Sequence, residues 1–317
     1  MNDKLTTSTI DVDAISAKLL KTIADIDGNI EGAFNVRRNG GTVERFSTKN
    51  IAIKAREDGK PGIDIIVKPG TVGESVHIPV ILTEVGLEET VYNDFIIGEG
   101  SDVTIIAGCA IHNCGADKSE HDGVHTFRIG KNAKVRYAEK HYGEGDGTGE
   151  RVLNPVTLAY LDEGAYCEME MTQIEGVSST VRDTTAHLGK DAKLVVNEKL
   201  LTHDDQKAVS NIMVHLDGEG SSARIISRSV AKDRSHQEFQ PVAEGNADCR
   251  AHIQCDSIIM DDAVVRSIPA IEARHRDAQI VHEAAIGRIN NEQLIKLETL
   301  GMTEEEAEQV IINAFLE

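Results

Sequence analysis

Three side chains near the C-terminal end of the chain could hold a soft metal. They are Cys255, His282 and Glu283, within RAHIQCDSIIMDDAVVRSIPAIEARHRDAQIVHEAAIGR at residues 250–288. A thiolate, an imidazole and a carboxylate meeting at one point can bind iron or zinc, the thiolate favouring soft-metal and iron–sulfur chemistry. The same residues also fit a structural reading, a buried cysteine beside a hydrogen-bonded histidine, because free Cys is among the most buried residue types. Strand alternation limits what they can do together. His282 has the parity of Ile280 and Ala284, whereas Glu283 points the other way with Val281. Cys255 shares its side with Ala251 and Ile253. One straight strand cannot aim both His282 and Glu283 at one ion, so either the strand bulges or two chains of a dimer supply different members.

A second group lies upstream: Cys109, His112, Cys114, His121, His125 and His141. Cys-x4-Cys with a His between is not a common zinc pattern. The flanking HTFRIGKNAKVRY reads as strand, where His121 and His125 share a face but stand about 13 Å apart. A single-ion site using both is therefore not expected. The chain has no P-loop, dinucleotide-type glycine fingerprint, G-x-S-x-G or H-E-x-x-H. Its carboxylates are too many and too scattered to nominate a catalytic pair.

Whatever positions these groups repeats. IGEGSDVTII, IGKNAKVRYAEK, LDEGAYCEME, LGKDAKLVVNEK, LDGEGSSARIIS, AEGNADCRAHI, MDDAVVRSI and HRDAQIVHEA each run from an apolar residue through a Gly/Asp/Asn turn and a small residue into alternation. The small residues are Ala133, Ala165, Ala192, Ser222, Ala247, Ala263 and Ala278, the early intervals near twice the late ones, as if each held two strand-and-turn units. Sandwich, propeller and parallel β-solenoid all remain open. The small residue at one fixed point favours the solenoid, where the same corner stacks on itself. Residues 1–69 read as a helix, capped by Asp11 and spanning 9–27, plus a cap on the body. Residues 70–287 are the solenoid, and 288–317 form two short helices. In the second helix Thr303 and Glu306 make a capping box. Its stripe of Val310, Ile311, Ala314 and Phe315 is either internal packing or a docking surface for a partner groove.

With 33 basic and 53 acidic side chains the formal charge is −20, which repels nucleic acid and anionic membrane. No run approaches the roughly 20 apolar residues that span a bilayer. Five cysteines without a signal-peptide pattern point to a reducing cytoplasm. Six Phe, five Tyr and no Trp leave a core of small and β-branched side chains.

QCDSIIM, then SIPAIEARHRDAQIVHEAAIGRINNEQLIKLETLGMTEEEAEQVIINAF, resembles the C-terminal half of the SufB/SufD scaffold family of the SUF iron–sulfur assembly system. AGCAIHN and NIMVHLDGEGSSARIISRSVAKDRSHQ resemble it more weakly. The resemblance implies a right-handed parallel β-helix and a scaffold, not an enzyme, that binds an iron–sulfur cluster transiently and hands it to an acceptor. It implies that Cys255 and Glu283 support the nascent cluster and that a His at the position of His282 comes from the paired subunit. Cys109 would receive persulfide sulfur from a sulfur donor. It would then be partly exposed, have its pKa lowered by a neighbour such as His112, and react ahead of Cys167 and Cys249. The C-terminal helices would dock a SufC-type ABC ATPase. Carrying the Cys and the His-Glu pair on one chain favours a homodimer over pairing with a paralogous subunit. A carbohydrate-active β-solenoid enzyme, which the scarcity of aromatics opposes, and an adaptor that recruits an ATPase without holding metal are the other readings.

Overall fold

Alternation runs through strand after strand. Lys193–Thr202 buries Leu194, Val196, Glu198, Leu200 and Thr202 and leaves the residues between them at the surface. Such strands cannot stand alone, and stacking them in parallel buries a continuous interior. The computed structural model describes residues 8–9 and 12–317, and these form a solenoid of about eight turns. Each coil gives one strand to each of two sheets. In one sheet Asp102, Lys134, Tyr166, Lys193, Ser222, Arg250 and Gln279 stand in a single row. The other sheet stacks Glu88–Ile97, Ser119–Ile129, Ser179–Leu188, Lys207–Leu216 and His236–Gly245 with the shorter strands among them.

The repeat works at the corners. Ser101, Ala133, Ala165, Ala192, Ser221 and Cys249 are all buried just before that row, where coil lies on coil. The stacked residues are thus Ser221 and Cys249, not the Ser222 and Ala247 expected from sequence. Ala263 belongs to the opposite corner, beside the pair Val264 and His236. That explains the halved late intervals. Two residues ahead of the row, Gly100, Asn132, Gly164, Asp191 and Gly220 take φ between 54° and 75°. Only residues tolerant of the left-handed region can turn the chain there. Asp204, Asp233 and Asp261 do the same at the other corner.

The N-terminal helix α1 is Ala14–Ala24, shorter than the expected 9–27. Asp13 caps it, its Oδ1 accepting from the Ser16 N–H at 3.0 Å, and Asp25 ends it in the left-handed region. Asp11 lies outside the described residues. Leu19, Leu20 and Ile23 pack with Phe34, Ile81 and Ala110 on the outer face of the first sheet. The helix lies so close that a β-carbon on Gly108 would stand 2.6 Å from the Ile23 carbonyl oxygen. The strands expected as an N-terminal cap extend both sheets: Ala33–Arg38 pairs with Val72–Leu82, and Gly62–Val67 with Glu88–Ile97.

At the far end the solenoid is uncovered. Among the described residues Gln279–Gly287 pairs only with Arg250–Ile259, and Val264–Ser267 and Ala270–Ala273 only with His236–Gly245, so both outer edges are unpaired there. Ile271, Val281 and Ile286 are exposed on this coil. Helices α2 (Asn291–Thr299) and α3 (Glu304–Leu316) follow, α3 with the expected capping box. Among the described residues no helix is long and apolar enough to cross a membrane.

Candidate functional site

Cys255 and His282 meet inside this last coil. The strands carrying them are neighbours, and both side chains turn into the lumen as their parity requires. Cys255 Sγ lies 3.1 Å from His282 Nε2 and 3.1 Å from Ser267 Oγ. Burial pushes the thiol above its ordinary range, so a metal must displace a proton to bind there. Glu283 does not join them. It points outward, its Oε1 3.0 Å from His252 Nε2. Arg250–Ile258 and Gln279–Gly287 pair without a register shift, so no bulge turns Glu283 inward.

Deeper in the lumen lies a buried charged network. Arg182 donates to Glu139, donates to His141 Nδ1 at 3.3 Å and stands 3.8 Å from Glu198. Tyr137 donates to Glu139 Oε1 at 2.8 Å, and Ser210 and Ser227 donate to Glu198 at 2.7 and 2.8 Å. Burial alone would raise the Glu139 carboxyl, but Arg182 and His141 outweigh it and hold it well below the usual carboxylate range. Glu139, Met171, Glu198, Ser227 and Cys255 occupy one inward row, which runs from the network to the last coil.

Burial also pulls the His125 imidazole down to about 4 and lowers that of His141. Below the ordinary value of 6.5 the unfolded chain binds protons that these rings refuse, so stability falls with pH from there toward 4. Glu139, whose folded value is depressed, acts in the same direction at lower pH, its stabilisation being lost as pH falls through that value. The slope for one such histidine approaches about 1.4 kcal/mol per pH unit. Thermal melts across this window should decline toward acid, and His125→Gln should flatten the decline.

Cys109 does not meet its expectation of partial exposure. It is buried among Val80, Leu82, Ile111 and Leu153. Burial pushes its thiol well up, and Glu139 and Glu89 add to the effect. The exposed thiol is Cys114, in the turn after the same strand. Its Sγ lies 3.1 Å from His112 Nε2, and His112 Nδ1 lies 3.1 Å from Glu144 Oε1. Sequence reasoning noted Cys114 but gave it no role. The available signals were His112 two residues before it and the glycines at 145, 147 and 149. Those glycines let one loop pack backbone to backbone on the other: a β-carbon on Gly147 would stand 2.4 Å from the Gly115 carbonyl oxygen. Cys114, His112, Arg38, Thr83, Val85 and Asp13 line an open cavity of about 530 Å³. Alkylation of the native protein should label Cys114 first, with Cys109 as slow as Cys167, whose thiol burial raises to about 12. Labelling of Cys109 ahead of Cys114 would contradict the placement.

The stripe expected for docking divides. Helix α3 buries Ile312 and Leu316 against Val230 and Met260, with Phe315 packed at the margin of that cluster, and Ala307 is also buried. Val310 and Ala314 face out and Ile311 is half-buried. Ile295 and Leu300 are exposed beside or on α2.

This fold, with a thiol and an imidazole paired in its last coil, is that of an iron–sulfur assembly protein: the SUF system FeS cluster assembly, SufBD core domain, matches residues 89–315. The chain belongs to the SufBD family. It is 31% identical over 263 residues to an iron–sulfur cluster assembly SufBD family protein of Methanocaldococcus jannaschii, covering 82% of each chain. A protein of the same description from Archaeoglobus fulgidus is 29% identical, covering 77% of this chain and 66% of its own length. One from Methanothermobacter thermautotrophicus is 28% identical, covering 85% of this chain and 65% of its own length.

Proposed function

We propose that the chain is a scaffold on which an iron–sulfur cluster is built as cargo and then handed on, with no catalytic turnover of its own. The observation that supports this most directly is the Cys255–His282 pair at the uncovered end of the solenoid. One chain offers a thiolate and an imidazole, fewer than the four ligands an iron–sulfur cluster takes from protein. A second copy brought to the unpaired edges by a two-fold axis supplies an equal pair. The exposed Ile271, Val281 and Ile286 give that contact an apolar surface. In this reading each chain contributes both its Cys and its His, and Glu283 with His252 sets charge on the outer face. Sulfur from a donor reaches the protein first at an accessible thiol, and Cys114 is the accessible one.

An ABC-type ATPase of the SufC kind is the partner we assign to α2 and α3. The outward Val310, Ile295 and Leu300, with Glu304 and Glu305 at the rim, are the surface offered. Val310→Asp should weaken the complex about tenfold or more, as a charge placed in an apolar contact does, without lowering the melting point. Phe315→Ala should instead lower the melting point. If only Phe315→Ala changes affinity, the docking face is the other side of α3.

Anaerobic reconstitution with iron and sulfide, followed by sedimentation, tests the scaffold. A dimer with broad visible absorbance is expected. A colourless protein would leave the adaptor reading.

A further inference from the structure

His121, Gly123 and His125 alternate with outward residues along Ser119–Ile129, and all three turn into the lumen. Their backbone spacing argued against a shared site, but the rings cover the gap. The Nε2 atoms of His121 and His125 lie 3.6 and 3.1 Å from the point where a β-carbon on Gly123 would stand. The glycine leaves that space open.

The hydrogen bonds fix what the two rings present there. His121 Nδ1 lies 3.1 Å from Glu89 Oε1, and Glu89 is ion-paired with Arg37 at 2.9 Å. An ionised carboxylate only accepts, so Nδ1 carries the proton. His125 Nδ1 lies 2.7 Å from the Tyr137 hydroxyl, whose single proton goes to Glu139. The hydroxyl must therefore accept, and Nδ1 of His125 carries its proton too. With the proton on Nδ1, the neutral form of each ring presents a lone pair at Nε2. Both rings are buried, 2% and 3% exposed, and among the described residues no donor reaches either Nε2.

Two acceptors that face one space can share a cation, or water, between them. Imidazoles anchored through Nδ1, here directly to Glu89 and through Tyr137 to Glu139, are how metal-ligating histidines are held. We propose that His121 and His125 bind a divalent first-row transition ion through their Nε2 atoms, at a lumen site separate from Cys255 and His282. Neutral imidazole suits iron, zinc, nickel or copper, and water completes the coordination. The site stands independently of the scaffold reading.

The test uses full-length Cys255→Ser protein, which removes the thiolate of the other site, with Co²⁺ as an anaerobic spectroscopic probe. One bound Co²⁺ per chain is expected, with ligand-field bands and no thiolate charge-transfer band. His121→Gln combined with His125→Gln should abolish it. Gly123→Ala keeps both ligands and fills the space with a methyl group. It should weaken binding about tenfold or more with unchanged circular dichroism, and it decides the matter if the double variant fails to fold. His203→Gln is the control, because His203, Asp204 and Asp233 hold their ligand atoms within 4.8 Å of one another at an exposed corner. No Co²⁺ uptake, as when water alone fills the space, would overturn the proposal. So would binding that survives Gly123→Ala or is lost with His203→Gln.

Discussion

Cys255→Ser is expected to lower the iron and sulfide held after reconstitution by about tenfold or more, since removing even an outer-shell partner of a metal site costs 10- to 100-fold. The hydroxyl that replaces the thiol is not a soft ligand. The fold should survive, because Ser267 Oγ and His282 Nε2, each 3.1 Å from the present sulfur, remain as hydrogen-bond partners. A satisfied buried hydroxyl then costs about 1 kcal/mol or less. Iron analysis beside a thermal melt separates the outcomes. Wild-type iron content would move the site elsewhere, and a collapsed melt with normal iron would make Cys255 a packing residue.

Arg182→Met should be the most destabilising single change in the lumen, by about 3–5 kcal/mol, because it strands buried charges that were paired. Arg182 is the cation shared by Glu139 and Glu198, and all three are buried. Without it the carboxylates face each other in a medium that cannot solvate them, and Glu139 must take up a proton. Adding Glu139→Gln should recover a large part of the loss, since one charge no longer needs a partner. Urea unfolding of the two variants measures this. A loss below about 1 kcal/mol for Arg182→Met would mean that water reaches the network.

The sequence displayed the fold where backbone geometry restricts residue choice. A left-handed corner accepts Gly, Asn or Asp, and a stacked corner accepts only small side chains, so both positions recur visibly. The anchor slipped at Ser222 and Ala247 because Ser221-Ser222 and Ala247–Cys249 each offer two small residues. Parity placed Cys255 and His282 inward and Glu283 outward. The expected exposure of Cys109 came from the resemblance alone; by parity it lies with Val103, Ile105 and Ala107, and on that side it is buried. Cys114 sits in a turn, where no periodicity applies. Spacing measures where α-carbons stand and not how far rings lean, so it did not show that the Nε2 atoms of His121 and His125 come within 3.6 Å of one point beside Gly123. On α3 the buried face proved to be Ala307, Ile312 and Leu316, because the helix lies on the solenoid and not only on α2.

The unpaired last coil also sets how firmly its contents are held. In a stack of coils each is supported only by its neighbours, so opening is cheapest at an end with one neighbour missing. The N-terminal end is protected by α1 and its antiparallel strands, which leaves the Cys255 end as the one that frays. Amide hydrogens there should exchange fastest, with protection climbing coil by coil toward the middle. If Cys255 and His282 hold a cluster as proposed, local opening of a few strands would release it while the rest of the molecule stays folded, and a second chain laid on that edge would slow the release.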